Sequence, residues 1–170
     1  MKIIKTIGIL LIVVVAIVMI IMLILPAKQH IERTITINAP VAKVYQYLTS
    51  LENFNKWTVW GRNDSTLKNT ITGTDGSLGA INAWSGDPEL SGEGKIEVTS
   101  LEINKEIAHA ITFLKPRQMN AHSEFDLEEI NGHTRVRWQI DIATPRPRNI
   151  LNLFSNMDKK MANDFALGLQ

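Results

Sequence analysis

Residues 120–142 read NAHSEFDLEEINGHTRVRWQIDI. Asn131-Gly132 is the strongest short hairpin signal a sequence carries, because a type I′ turn needs φ > 0 at both central positions. A two-residue loop sets Ile130 opposite His133, and the register runs outward from there. Glu128 then faces Arg135 and Asp126 faces Arg137, while Leu127 faces Val136 and Phe125 faces Trp138. Opposite charges share one face and apolar groups the other, as a half-buried antiparallel pair requires. The alternation assigns Ala121, Ser123, Phe125, Leu127, Thr134, Val136, Trp138, Ile140 and Ile142 to the inner face.

Upstream of the hairpin the chain is rich in further strands. They are expected at 67–72, 80–85, 95–101 and 107–113, parted by Gly73, Asp75, Gly76 and Gly79, by a loop from Gly86 to Gly92, and by Asn104. An earlier strand is expected where Ile31, Arg33, Ile35 and Ile37 alternate with Glu32, Thr34 and Thr36. Asn38 can cap the helix that follows, with Pro40 in its first turn and Val41, Val44, Tyr45 and Leu48 at helical spacing. A second short helix is expected over 51–56, with Ser50 as its cap. Phe54, Trp57 and Trp60 repeat at one-turn spacing if that helix continues. After Pro145 and Pro147, the residues Ile150, Leu153, Phe154, Met157, Met161 and Phe165 mark one stripe of a C-terminal amphipathic helix.

The N-terminus is of another kind. Residues 7–25 form an apolar run of 19 residues without a charge. At 1.5 Å per residue it spans roughly 28 Å, near the ~30 Å hydrocarbon core of a bilayer. It is longer than the apolar stretch of a secretory signal, and Leu25-Pro26-Ala27 puts a bulky Leu where a cleavage site wants a small residue. The organisation expected is a flank at 1–6, a transmembrane helix at 7–25, a linker at 26–29 and one domain at 30–170. Lys2 and Lys5 ahead of the run tip the balance slightly toward a cytoplasmic N-terminus and an extracytoplasmic domain.

Composition excludes several functions. The chain has no cysteine, hence no disulfide, thiolate metal site or cysteine nucleophile. Lys2 and Lys5 are two of its 18 basic residues, and the others roughly balance the 17 acidic ones. No basic stripe emerges, so nucleic acid is not an expected partner. The four histidines fall on different faces without helical spacing, so no metal is expected. No phosphate loop, dinucleotide fingerprint or GxSxG motif occurs, and no cofactor is expected. The sequence does not specify an oligomeric state.

The order is one strand, two short helices, about six antiparallel strands and a long C-terminal helix. With the blocks ITINAPVAKVYQYLTSLENFNKW (35–57), the Trp57/Trp60 pair, GSLGAINAWSG (76–86) and GKIEV (94–98), it resembles the START-like (SRPBCC) superfamily in its polyketide cyclase/dehydrase-like branch. The resemblance implies an α+β helix-grip fold. A curved antiparallel sheet of six or seven strands wraps the C-terminal helix over an elongated apolar cavity that takes lipids, sterols, hormones or polyketides. It implies no universal catalytic residue and no membrane anchor.

Strand alternation and this resemblance give a candidate ligand-binding set: Trp60, Trp84, Ile96, Val98, His109, Ile111, Phe113, Ser123, Phe125, Trp138, Phe154, Met157 and Met161. His109 is the one titratable inward group and the sole catalytic candidate; a His hydrogen-bonded within the core is the plainer reading. Asn69, Asn82 and Thr134 are the other polar inward positions. Glu124, Asp126 and Glu128 count like paired catalytic acids, but their alternation places them outside, opposite arginines. The function expected is a membrane-tethered domain binding an apolar small molecule or lipid without catalysis. The alternatives are a cyclase/dehydrase-type enzyme using His109, and a filled fold acting through its surface.

Overall fold

The computed structural model describes residues 2–59, 61–62 and 64–150. The expected C-terminal helix, with Phe154, Met157 and Met161, lies outside the described residues, as does Trp60.

The hairpin forms as its sequence dictates. β6 (Met119–Ile130) and β7 (His133–Ala143) pair with Ile130 opposite His133, Phe125 opposite Trp138 and Leu127 opposite Val136. Asn131 and Gly132 take φ 52° and 82°. On the outer face Arg135 meets Glu128 at 2.8 Å and Arg137 meets Asp126 at 2.8 Å. Around this pair stand β1 (Lys28–Ile37), β2 (Lys68–Thr72), β3 (Ile81–Ser85), β4 (Glu93–Glu102) and β5 (Glu106–Lys115). Together they make one seven-stranded antiparallel sheet in the order β1-β7-β6-β5-β4-β3-β2. A register shift between Val98 and Ser100 interrupts the β4–β5 ladder.

Two helices lie between β1 and β2. α2 (Val41–Thr49) begins after Pro40, which is its N-cap. The expected cap, Asn38, does not serve: Pro40 holds extended backbone and its carbonyl accepts from Lys43 and Val44. α3 (Leu51–Trp57) is capped twice. The Ser50 hydroxyl oxygen accepts from the Asn53 N–H at 3.1 Å. Asp75, from the β2–β3 turn, accepts from the Leu51 N–H at 2.7 Å and from the Ser50 hydroxyl at 2.6 Å. These acceptors satisfy N–H groups that a helix start leaves without partners. α3 stops at Trp57 because Thr58 turns to extended backbone (φ −65°, ψ 145°). The helical repeat from Phe54 therefore does not continue from Trp57 to Trp60.

The core lies between the helices and the sheet. Val44 and Leu48 of α2 and Leu51 and Phe54 of α3 pack with Val98, Ile107, Ile111, Phe125, Val136, Trp138, Ile140 and Ile142. At the N-terminus, α1 (Lys2–Ile24) is apolar, and from Ile3 on most of its side chains are exposed. Among the described residues it is the one helix long and apolar enough to cross a membrane. It starts earlier than the expected 7–25. The linker is also shorter than the expected 26–29, because β1 starts at Lys28: the β7 partner extends to Ala143, so Lys28 and Gln29 join the ladder.

Candidate ligand-binding site

Ladder register sets three adjacent rows of side chains on the inner face. One runs Ile31, Ile140, Ser123, His109 and Val98. The next runs Arg33, Trp138, Phe125, Ile107 and Leu101. The third runs Gln29, Ile142, Ala121, Ile111, Ile96 and Asn82. The alternation seen in sequence is thus kept across five strands.

Over the middle rows lies an aromatic layer. Phe125 stacks on Trp138 at 5.0 Å and 22° between planes. α3 lays Phe54 and Trp57 across them. Trp57 stands edge-on to Trp138 at 5.3 Å and to Phe125 at 6.2 Å, and Phe54 meets Trp57 at 5.1 Å. Such edge and offset arrangements suit the ring quadrupoles. His109 completes the layer, 6.0 Å from Phe125 and 6.1 Å from Phe54.

The polar atoms of this layer divide into satisfied and unsatisfied. The Trp138 indole N–H donates to the Ser123 hydroxyl at 2.8 Å. The Thr134 hydroxyl donates to the Ala39 carbonyl at 2.7 Å. Asn82 donates to the side-chain oxygens of Asn55 at 2.9 Å and Asn69 at 3.1 Å, which gathers the inward asparagines into one cluster. Both ring nitrogens of His109, the indole N–H of Trp57 and the side-chain oxygen of Asn82 are buried without a hydrogen-bond partner among the described residues. His109 is fully buried. Burial, with a smaller contribution from the His122 charge, pushes its pKa down to about 4. At neutral pH it is an uncharged imidazole with one donor and one acceptor to offer.

A groove of about 870 Å³ opens beside the layer. Its walls mix apolar residues (Ile37, Ala39, Val44, Tyr47, Leu48 and Trp57) with polar ones (Lys43, Gln46, Thr49, Ser50, Asn53 and Asp75). Trp57 divides groove from aromatic layer: one residue belongs to both. Ile96, Val98, His109, Ile111, Ser123, Phe125 and Trp138 lie in the buried sheet surface behind it. Trp84 and Phe113 sit apart toward the β2 edge. Their rings meet edge-on at 5.6 Å, and the Trp84 N–H donates to the Ser91 carbonyl at 3.1 Å. Gly94 lies beneath Trp84 because a Cβ there would run into the indole and the Thr112 carbonyl.

The sequence profile of the polyketide cyclase/dehydrase and lipid transport family matches residues 28–170. This chain belongs to that family. Its solved relatives share the helix-grip fold. The Aha1 dimer of Colwellia psychrerythraea is 22% identical with a TM-score of 0.56, over 83% of this chain and 90% of that one. A protein of Mesorhizobium loti is 17% identical with a TM-score of 0.58, over 82% and 93%. Norcoclaurine synthase of Thalictrum flavum, solved with dopamine and hydroxybenzaldehyde, is 11% identical with a TM-score of 0.60, over 83% and 84%. At these identities the likeness is one of fold. Comparison with curated proteins finds no match.

Against that fold, α3 is the contribution that strand alternation does not reveal. Phe54 belongs to the layer as fully as Phe125 does, and its signal is the i, i+3 spacing to Trp57. Alternation groups Arg33 with the apolar side of β1, and its register opposite Trp138 keeps it there. It stays exposed on the edge strand and donates to the Glu32 carbonyl at 2.6 Å. The acids behave as their alternation predicts: Glu128 and Asp126 pair outward with arginines, and Glu124 accepts from Gln139 at 2.9 Å.

Proposed function

We propose that this member of the polyketide cyclase/dehydrase and lipid transport family is a membrane-tethered module. Its domain, residues 28–170, holds an apolar small molecule or lipid against the aromatic layer, with α1 as the anchor. The observation that carries the reading is a trio of buried atoms without a partner among the described residues: the Trp57 N–H and the two nitrogens of His109. Each such atom costs about 1–3 kcal/mol when left unmet. A ligand with an apolar body and separate polar groups, one accepting from the Trp57 N–H and another pairing with His109, would meet them. The aromatic layer, mostly hydrophobic with few polar atoms, has the composition of small-molecule sites. The 870 Å³ groove past Trp57 supplies space on the scale such ligands need.

Binding without catalysis is favoured over a cyclase reaction. A general base works best with a pKa near the operating pH, and His109 is held near 4. No carboxylate reaches either ring nitrogen among the described residues. His109 is read as a group that orients a ligand. Trp60, Phe154, Met157 and Met161 complete the proposed lining.

Native mass spectrometry of the full chain, released gently from membranes, tests the reading. An apolar ligand should co-purify, and Trp57→Phe with His109→Phe should retain about tenfold less of it, the equivalent of one hydrogen bond. No retained ligand, together with no uptake of fluorescent lipids, overturns it.

A further inference from the structure

The end of α1 does not stop in open space. The segment after β7, residues 144–150, closes over it. The Arg146 guanidinium donates to the Met22 carbonyl at 3.1 Å and to the Leu23 carbonyl at 2.8 Å. The Asn149 amide, fully buried, donates to the Met22 carbonyl at 2.8 Å and to the Leu25 carbonyl at 3.0 Å. The Thr144 N–H donates to the Ala27 carbonyl at 2.9 Å. Helix carbonyls at this end lack intrahelical partners, and a cation there also meets the negative end of the helix dipole.

These bonds fix the depth of the segment. Met22 and Leu23 belong to the apolar span Ile3–Ile24, so their carbonyls lie within roughly 3 Å of its end along the axis. The polar layer on each side of a bilayer is about 5–8 Å thick. Residues that touch those carbonyls therefore stand at headgroup level if α1 crosses the bilayer. Three cations lie in or beside this segment: Arg146 on the helix end, Arg148 two residues on, and Lys28, held beside Ala143 by the β1–β7 register. All three are exposed, and none has a carboxylate partner among the described residues. The neighbouring acid, Asp141, is taken by His30 at 2.9 Å. Arg146 uses two of its five donors on the helix and keeps the others.

We propose that Lys28, Arg146 and Arg148 form a cationic collar at the exit of α1 that binds the phosphates of anionic phospholipids and seats the domain on the bilayer. Arg146 both caps the helix and faces the headgroups, so membrane contact and domain orientation are set at one place. The inference rests on the reading of α1 as a membrane span.

The test uses the full chain in nanodiscs of phosphatidylcholine mixed equally with phosphatidylglycerol. Native mass spectrometry then counts the lipids the protein keeps. The wild type should keep phosphatidylglycerol in preference. Lys28→Gln with Arg148→Gln, which leaves the Arg146 cap intact, should lower that preference by about fivefold per cation, the equivalent of about 1 kcal/mol each. Lys68→Gln, on the far edge strand, should leave it unchanged. Equal preference in the wild type and the double variant overturns the collar, and so does an equal loss in Lys68→Gln. Carbonate washing of membranes carrying the full chain separates the two claims. Release by carbonate defeats the spanning reading and the collar with it; retention with no lipid preference defeats the collar alone.

Discussion

Lowering the pH should weaken this domain through His109 in particular. The imidazole is fully buried among Phe54, Phe125, Val98 and Ser123, and no carboxylate meets it among the described residues. Its pKa falls from 6.5 to about 4 on folding. The unfolded chain therefore takes up a proton below pH 6.5 that the folded chain refuses until pH 4. Stability is unaffected above the unfolded value, is lost as pH falls between the two, and levels off below. Each unit of difference is worth 1.36 kcal/mol, so the loss from pH 7.5 to 4.5 comes to about 2–3 kcal/mol. His30 acts in the opposite sense. Its hydrogen bond to Asp141 raises its pKa, so its contribution is present at low pH and fades as pH rises through the folded value. Subtraction removes this and every other group: the quantity to measure is the difference between the wild type and His109→Leu. Urea unfolding of the full chain in mild detergent, followed by tryptophan fluorescence, gives both stabilities at each pH. The variant should be less sensitive to acid, and the gap between the two proteins should change by about 2–3 kcal/mol across that range. A constant gap would mean that His109 is solvated or paired, and the orphaned-imidazole reasoning would fall.

Other predictions follow from single contacts. Asp75→Ala should cost about 1–2 kcal/mol in thermal or urea unfolding, because it frees the Leu51 N–H and the Ser50 hydroxyl at the start of α3. Gly132→Ala meets no neighbouring atom but forces a side chain to φ 82°, so about 1 kcal/mol of stability should be lost with the fold unchanged by circular dichroism. Asp64 is held at a pKa of about 2, chiefly by the Thr66 hydroxyl and against its own burial. It supports the 64–92 region above its unfolded pKa of 3.8, and that support should fade as pH falls from there toward 2, which amide exchange at Thr66 and Asp87 would report. Gly94→Ala should dislodge Trp84 and raise its accessibility to acrylamide, with little effect on Trp138 emission.

How much of this was legible in the sequence depends on the reach of each interaction. The final hairpin was readable to the residue, since one Asn-Gly turn and a period of two fix every partner from Ile130 to Phe125. His109 and Ser123 were placed inward by the same alternation. The Ser50 cap was readable because its signal is three residues long. Asn38 does not cap α2, because Pro40, two residues on, starts the helix from its own extended backbone. The Trp57-to-Trp60 repeat failed as a helical one because nothing in the spacing announces that Thr58 leaves the helix. The contacts that position the site across the fold had no local signature at all. Asp75 caps a helix 24 residues away, and Arg146 and Asn149 close a helix more than 120 residues away. Such pairs come from topology, and no periodicity encodes them.

The aromatic layer also bears on whether this interior is filled or open. Large residues do occupy it: Phe54, Trp57, Phe125 and Trp138 lie within 6.3 Å of one another between centroids wherever they meet. Packing alone would be served by apolar groups throughout, because a core gains nothing from polar atoms it cannot pair. Ser123 and Thr134 obey that rule, each engaged by a neighbour. Among the described residues His109 and Trp57 find no such partner, and they sit on opposite supports, one on the sheet and one on α3. A bound group that met both would tie helix to sheet. Its binding would be read as added stability of the folded state, growing with ligand concentration. The proposed ligand would then enter at the Trp57 side from the groove, polar group leading, toward atoms that have no partner among the described residues.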